Sequence, residues 1–360
     1  MAYLKIYPSR IIHNIQKINI LMEKHGKEWT LVTKVLGGHK KILEKIINSE
    51  AVLGTHSIGD SRVTNLKRIK SINKDIVTMY LKPPAKSYLN SVVKYADISL
   101  NTEYSTIMLL NEEAKKNDKI HKIIIMIEMG ELREGVVREN FLDFYEKVFD
   151  LSNIEVIGLG TNLGCMFGIE PTYDKLIQLS LYEQLIEMRF NKNIDLVSGG
   201  SSITLPLLKK GKLPKQVNHL RIGEAIFLGT TPLTNKKFSR LSTNSFEFIA
   251  NIVEMEKKET VPDGVIGEGN VGHTELLVEP DSIELEHKAL VDYGVVDVDH
   301  NYLTPKDKNV EFLGTTSDLT VYSITKNNKG YRTGKTIAFQ PNYMAVAQLM
   351  NSKYITKNVI

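Results

Sequence analysis

The 360-residue chain contains a single cysteine, Cys165, and a single tryptophan, Trp29. One thiol excludes an internal disulfide framework and any metal site built from several cysteines. Nine histidines are present, but no His-x-x-x-His and no His-Glu pair. Zinc or two-metal hydrolysis therefore has no motif, and no metal is expected. Apolar runs long enough to span a bilayer are also missing. The first residues, "MAYLKIYPSR", lack the apolar core of a secretory signal, so a cytoplasmic protein is expected, without a membrane partner. Basic and acidic residues nearly balance, 46 against 42, and the basic ones are scattered, so nothing resembles a nucleic-acid footprint. Neither a Gly-x-Ser-x-Gly elbow nor a Gly-x-x-x-x-Gly-Lys loop occurs. "GEGNVG" at 267–272 is glycine-rich, but no helical pattern follows it, and it reads as a loop or strand bend.

What is present is a rhythm. "SRIIHNIQKINILMEKHG" has helical spacing, with Ser9 placed to cap it. Eight apolar, strand-like runs then follow, most of them alternating with amphipathic helical stretches: "WTLVTKV", "AVLGTH", "DIVTMYL", "DISLN", "KIIIMIEM", "IEVIGLGTN", "IDLVSGG" and "VNHLRIGEAIFLG". Apolar strands alternating with helices are the mark of a parallel sheet buried on both faces. An open doubly wound sheet gives a similar alternation, but eight units favour closure into a (β/α)8 barrel. Beyond about residue 235 the helices stop, and runs such as "FEFIANIVEME", "KALVDYGVV" and "VEFLGTTSDLTVYSI" suggest a mainly β domain. The expected organisation is a barrel over 1–232 and a β-rich domain over 233–360, with the helical "YMAVAQLMNSKYIT" near the end.

One residue is out of place in this pattern. Lys34 sits within the apolar "WTLVTKV", where a buried ammonium is costly unless paired or neutralised. Either it lies at the strand end and snorkels to water, or it works as an amine nucleophile. In a parallel barrel, chemistry gathers where strands end and loops begin. Those positions hold Lys34, Arg133, Asn162, Ser201, Ser202, Arg221 and Gly223. The hydroxyls, with the N–H groups at Gly223–Glu224, would suit a phosphate. A lysine, an arginine and a phosphate cradle together suggest pyridoxal phosphate. Taken singly, Arg133 also reads as a solvated loop residue, and Asn162, Ser201 and Ser202 as turn residues. Cys165 reads as a small packing residue rather than a nucleophile.

The set "VTKV", "EMGELREGV", "GLGTNLGCMFG", "VSGGSSITLPLL" and "NHLRIGEAIFLG" resembles the alanine-racemase-type pyridoxal-phosphate enzymes, over roughly residues 1–232. Within that family the wording is most similar to the enzymes that racemise ornithine. The resemblance implies that Lys34 carries the cofactor as a Schiff base and moves the α-proton on one face. It implies that Arg221 faces the pyridine nitrogen and that Arg133 lies near the phenolic oxygen and the substrate. Asn162 falls where alanine racemases stack a histidine on the ring. Ser201, Ser202, Gly223, the Glu224 N–H and Tyr343 match the phosphate cradle. A head-to-tail homodimer with shared sites is implied as well, as is an amino-acid substrate, ornithine before lysine, arginine or alanine. Ser317 and Asp318 in "TTSDL" are candidates for holding that substrate, Asp318 for its distal ammonium.

Two departures from the family stand out. The tyrosine expected four residues after the lysine is Gly38 here. The stretch expected to bring a partner's catalytic tyrosine, "GVIGEGNVGHTE", has none. His273 and Tyr293 are then the candidates for a second acid–base group, with Cys165 behind them. Fold-sharing decarboxylases use a cysteine in the β domain, and none follows Cys165. The related aldolases want a C-terminal histidine–cysteine pair, which is also absent. Non-catalytic pyridoxal-phosphate carriers resemble the barrel alone and lack a second domain.

Overall fold

A computed structural model describes residues 1–266, 272–274 and 284–360. It divides into two compact units: Ser9–Thr243, and Met1–Pro8 together with Asn244–Ile360. In the first unit eight parallel strands close into a barrel, as the alternation predicts. The chain opens with β1 (Tyr3–Ile6), which belongs to the other unit. The barrel strands are β2 (Glu28–Val32), β3 (Ser57–Asp60), β4 (Thr78–Tyr80), β5 (Ile98–Asn101), β6 (His121–Met126), β7 (Ile154–Gly160), β8 (Leu196–Ser201) and β9 (His219–Ile222). Closure is made by β2 against β9, with Thr30 opposite Arg221 and Leu31 opposite Ile222. Strands buried on both faces explain the unbroken run Ile123–Ile127, every member of which is fully shielded from solvent.

The helices follow their periodicity. In Pro8–Lys24 the buried aliphatic residues are Ile11, Ile15, Ile18 and Met22, a stripe on one face that also carries the buried Asn14. Pro8 itself opens this helix, so Ser9 is inside it and does not cap it. Proline suits that position because its missing N–H would have no helical partner there.

Two expectations need correcting. "AVLGTH" is not the second barrel strand: Glu50–Gly54 is a 3-10 turn, and the strand begins at Ser57. Apolar content misled, since Leu53 is 85% exposed while the true strand, Ser57–Asp60, is short, polar in composition and wholly buried. The division near residue 232 also falls elsewhere. The C-terminal unit starts at Asn244 and takes in the first eight residues, because β1 pairs with both β10 (Phe246–Glu259) and β17 (Thr356–Val359).

That unit is a mainly antiparallel sheet. Besides β1, β10 and β17 it contains β11 (His273–Thr274), β12 (Leu285–Val291), β13 (Leu303–Pro305), β14 (Val310–Thr315), β15 (Thr320–Ile324) and β16 (Thr336–Pro341). The 14-residue β10 is its spine, pairing with β1, β16 and β12 in turn and shifting register between Ile252 and Glu254. A helix, Tyr343–Asn351, follows β16 as the periodicity predicts. An aromatic cluster fills the core: Phe248 lies 5.1 Å from Tyr293 and 6.0 Å from Phe339, edge-on and tilted. Most of the glycine-rich 267–272 lies outside the described residues. Among the described residues no helix is long and apolar enough to cross a membrane.

Phe248→Ala should destabilise the C-terminal unit by about 3–5 kcal/mol, the usual cost of removing a buried phenylalanine from a packed cluster. Urea unfolding of the variant measures it. A loss below about 1 kcal/mol would mean that the cluster is not the core described here.

Candidate active site

The residues predicted at the strand ends do gather at one end of the barrel. Lys34 lies two residues beyond β2, on the short turn Lys34–Leu36. Its neighbours Thr33, Val35 and Leu36 are buried, but Lys34 itself is exposed, just past the strand end. Its ammonium carries no ion pair among the described residues.

The turn that presents Lys34 is pinned from behind. The buried Asp60, at the end of β3, accepts from Thr33 Oγ1 at 3.3 Å, from the Arg62 N–H at 2.9 Å and from Asn65 Nδ2 at 3.1 Å. Burial pushes the Asp60 carboxyl up, and these hydrogen bonds only partly pull it back. Arg68 donates to the Gly38 carbonyl at 2.6 Å. Gly38 has φ +70°, and a Cβ there would come within 2.3 Å of Asn65 Oδ1. A side chain at this position would be strained by the positive φ and would have to displace the Asn65 amide, so glycine suits this turn.

Arg221, fully buried on β9, is the centre of the site. One terminal nitrogen donates to the Thr161 carbonyl at 2.6 Å and to Asn162 Oδ1 at 2.8 Å. The other donates to the Ser198 carbonyl at 3.3 Å and to Ser198 Oγ. Burial pulls the guanidinium down to about 10, with the charge of Glu134 among the influences opposing it. It therefore stays protonated at neutral pH.

Asn162 in turn donates to Glu134, which also takes the Arg133 guanidinium side-on through two N–H groups. Burial pushes the Glu134 carboxyl up, but Arg133 and Asn162 outweigh this and hold it below the usual carboxylate range. Arg133, Glu134, Asn162 and Arg221 thus form one bonded chain across the ends of β6, β7 and β9.

Glu134 escapes a reading by motif, as does Glu131 close by. The Glu131 carboxylate accepts from the backbone N–H groups of Gly164 (2.6 Å), Met166 (2.7 Å), Phe167 (3.1 Å) and Ile169 (2.8 Å). It staples the loop after β7 to the loop after β6. Glu128 accepts from Gly130 and Leu132 within its own turn. In "EMGELREG" three glutamates hold three different things, and the only hint in the sequence is their density around one arginine.

At the junction of β8 and β9, Ser201 stands opposite Arg221 in register. Ser202 Oγ accepts from the N–H of Gly223 at 3.3 Å and of Ala225 at 3.1 Å. Gly223 lies tight against β2: a Cβ would meet Val32 Cβ and the Val32 carbonyl at 3.2 Å. Backbone N–H groups and serine hydroxyls collect here, as an anion requires.

The remaining candidates lie in the C-terminal unit. Tyr293 is fully buried, its hydroxyl bonded to Tyr322 and its ring among Phe248 and Phe339. It packs in the aromatic core of this unit, with its hydroxyl turned to Tyr322. The backbone of His273 pairs with Thr315 in β11, while its side chain lies outside the described residues. Ser317 and the exposed Asp318 sit on the β14–β15 hairpin, with Ser317 Oγ 2.6 Å from Asp318 Oδ2. Tyr343 opens the helix that Asn342 caps. Cys165 is exposed on the loop after β7, its thiol directed at the Leu163 carbonyl at 3.7 Å.

The family model for the N-terminal domain of alanine racemase matches residues 6–231. The chain belongs to the alanine racemase family. Within this family it is similar to the ornithine racemase of Acetoanaerobium sticklandii, 32% identical over 98% of each chain. It is similar also to the lysine racemase of Thermotoga maritima, 31% identical over 98% of each. The alanine racemase of Bartonella henselae, a structure with covalently bound pyridoxal phosphate, shares the fold with a TM-score of 0.70. That match covers 100% of this chain and 99% of the other at 14% identity.

The donor set fits pyridoxal phosphate. The exposed Lys34 amine can bond an aldehyde, the serines and the Gly223–Ala225 turn can take a phosphate, and Arg221 can face a ring nitrogen. Thr161 Oγ1, buried at the same mouth, has no hydrogen-bond partner among the described residues.

Glu224, beside the Gly223 turn, carries the site's pH signature. Burial pushes its carboxyl up to about 7. The folded state then binds a proton that the unfolded state releases at its ordinary value, so stability should fall as pH rises from about 4.5 to about 7 and level off above. A total of about 2 kcal/mol is expected, discounted for partial exposure. Urea midpoints across that range should show the slope in the wild type and lose it in Glu224→Gln; parallel curves would contradict the assignment.

Proposed function

We propose that this protein is a pyridoxal-phosphate-dependent amino-acid racemase that interconverts L- and D-ornithine. The observation that carries the reading is the pairing of an exposed, pinned Lys34 with a buried, fully braced Arg221 at one barrel mouth. The similarity to an ornithine racemase along nearly the whole chain supports the substrate. The lysine racemase similarity is almost as high, so L-lysine, one methylene longer, is the second reading.

Lys34 would hold the cofactor covalently through its ε-amine, and Ser201, Ser202 and the N–H groups of Gly223 and Glu224 would hold its phosphate. When bound, the cofactor supplies an electron sink conjugated to the substrate's α-carbon. Lys34 Nζ then takes or returns the α-proton on its own face. Arg221 keeps its proton at neutral pH, so it offers the ring a hydrogen bond rather than a transferable proton. That restrains how much charge the ring can take up and favours prompt return of a proton over side reactions. Arg133 orients the substrate end of the site, and Glu134 fixes where Arg133 lies.

The group on the opposite face is not assigned. Of the three acid–base candidates, Cys165 is the one on this barrel's mouth loops. The reading carries with it a head-to-tail homodimer, Asp318 as an anchor for the distal ammonium, and a cytoplasmic setting.

Incubating the cofactor-loaded protein with L-ornithine in deuterated water, followed by chiral separation and mass analysis, tests this. D-Ornithine carrying one deuterium is expected, abolished in Lys34→Ala. L-Lysine in parallel should turn over more slowly. Bound cofactor with no exchange and no D-isomer from ornithine would overturn the assignment; faster turnover of lysine would move it to that substrate.

A further inference from the structure

A second hydrogen-bonded chain starts at Arg221 and runs the other way, down through the interior of the barrel. Ser198 Oγ, which accepts from Arg221, lies 2.8 Å from His219 Nδ1. His219 Nε2 lies 2.9 Å from Thr30 Oγ1, and Thr30 Oγ1 lies 2.7 Å from Ser57 Oγ. Ser57 Oγ then meets His56 Nδ1 at 3.2 Å. Thr30, Ser198 and His219 are at 0% exposure and Ser57 at 2%, so no water competes along the way. His56 is half-buried and lines a cavity of about 640 Å³ with Glu28, Asp97, Lys122 and Asp195. These residues lie at or near the N-terminal ends of their strands, so the chain links the mouth of the barrel to its opposite face.

The arrangement follows from strand geometry. His219 and Arg221 are two apart on β9 and so face the same side, while Ser198 on β8 and Thr30 on β2 are their register neighbours. Proton counting then gives the chain a direction. A guanidinium only donates, so Ser198 Oγ receives from Arg221 and has its own proton left to give. Given to His219 Nδ1, that proton leaves Nδ1 bare and the ring proton on Nε2 for Thr30, the direction in which every hydroxyl proton of the chain has an acceptor within it. Thr30 passes its hydroxyl proton to Ser57, and Ser57 to His56. With Nδ1 protonated, Ser198 Oγ would accept twice and its own proton would have no acceptor within the chain. Burial above all, then His56 and Arg221, hold the imidazole far below its ordinary value, in keeping with a neutral ring.

We propose that His219 is a positioning residue for Arg221: a neutral imidazole, protonated on Nε2, that orients Ser198 and through it the guanidinium. This rests on the reading of Arg221 as the ring-nitrogen partner given above. His219 touches neither cofactor nor substrate, and its influence passes through Ser198.

Nitrogen-15 NMR of histidine-labelled protein without cofactor tests the chain by itself. His219 should show a bare Nδ1 and a protonated Nε2 from about pH 5 to about pH 9, well past the ordinary histidine midpoint. A protonated Nδ1, or titration within that range, would overturn the proposal. The positioning role is read from pyridoxal-phosphate affinity by absorbance titration. Ser198→Ala should weaken it roughly tenfold, the worth of one charge-assisted hydrogen bond. His219→Asn, which keeps an acceptor near Nδ1, should stay within about threefold of wild type, while His219→Gln should resemble Ser198→Ala. A purely packing role predicts no such split between Asn and Gln. Should the His219 variants fail to fold, Thr30→Val, nearly isosteric, breaks the next link and should scramble the His219 tautomer. Unchanged affinity in Ser198→Ala would refute the positioning claim, whereas a wild type that binds no pyridoxal phosphate would refute the proposed function and leave the tautomer to decide the chain.

Discussion

A positive charge buried in the wall of a parallel barrel is the constraint around which this site is organised. Arg221 has no water to solvate it, and an uncompensated buried guanidinium would cost several kcal/mol. The structure answers with acceptors from the end of β7 and from within β8: the Thr161 and Ser198 carbonyls, Asn162 Oδ1 and Ser198 Oγ. The side-chain acceptors are themselves held. Asn162 is fixed by Glu134, and Ser198 by His219. The consequence is a charge that stays protonated and stays put, which is what a ring nitrogen would need from a partner that must not become an acid.

The mouth around it is built from loops, and loops alone seldom hold atoms to a fraction of an ångström. Here carboxylates do that work. Asp60 pins the turn carrying Lys34, Glu131 gathers four N–H groups of the β7 loop, and Glu134 clamps Arg133. Asp60 and Glu134 bear on residues that a motif would single out, Lys34 and Arg133, whereas Glu131 bears only on backbone. The burial that raises Asp60 is offset in Glu131 and Glu134 by the number and charge of their donors.

The barrel was legible because alternation of apolar strands with amphipathic helices has few structural solutions. The exception is instructive: "SIGD" forms a strand through burial that its composition does not advertise, while the more apolar "AVLG" forms a turn. The role of β1 was invisible, since pairing with β10 and β17 is a contact across more than two hundred residues. In the site, Lys34 and Arg221 could be read because each breaks an apolar pattern. Glu131 and Glu134 break none, and only geometry separates them from a solvated loop. For Tyr293, residue type alone could not show that its ring packs against Phe248 and Phe339.

Lys34 is the residue through which the protein would bond the cofactor, and that bond can be captured directly. Protein mixed with pyridoxal phosphate should absorb as an imine, and borohydride should reduce the carbon–nitrogen double bond irreversibly. Proteolysis and mass analysis should then find the added pyridoxyl group on the peptide containing Lys34, with none attached in Lys34→Ala. A label spread over surface lysines, or retained in Lys34→Ala, would contradict the account at its root.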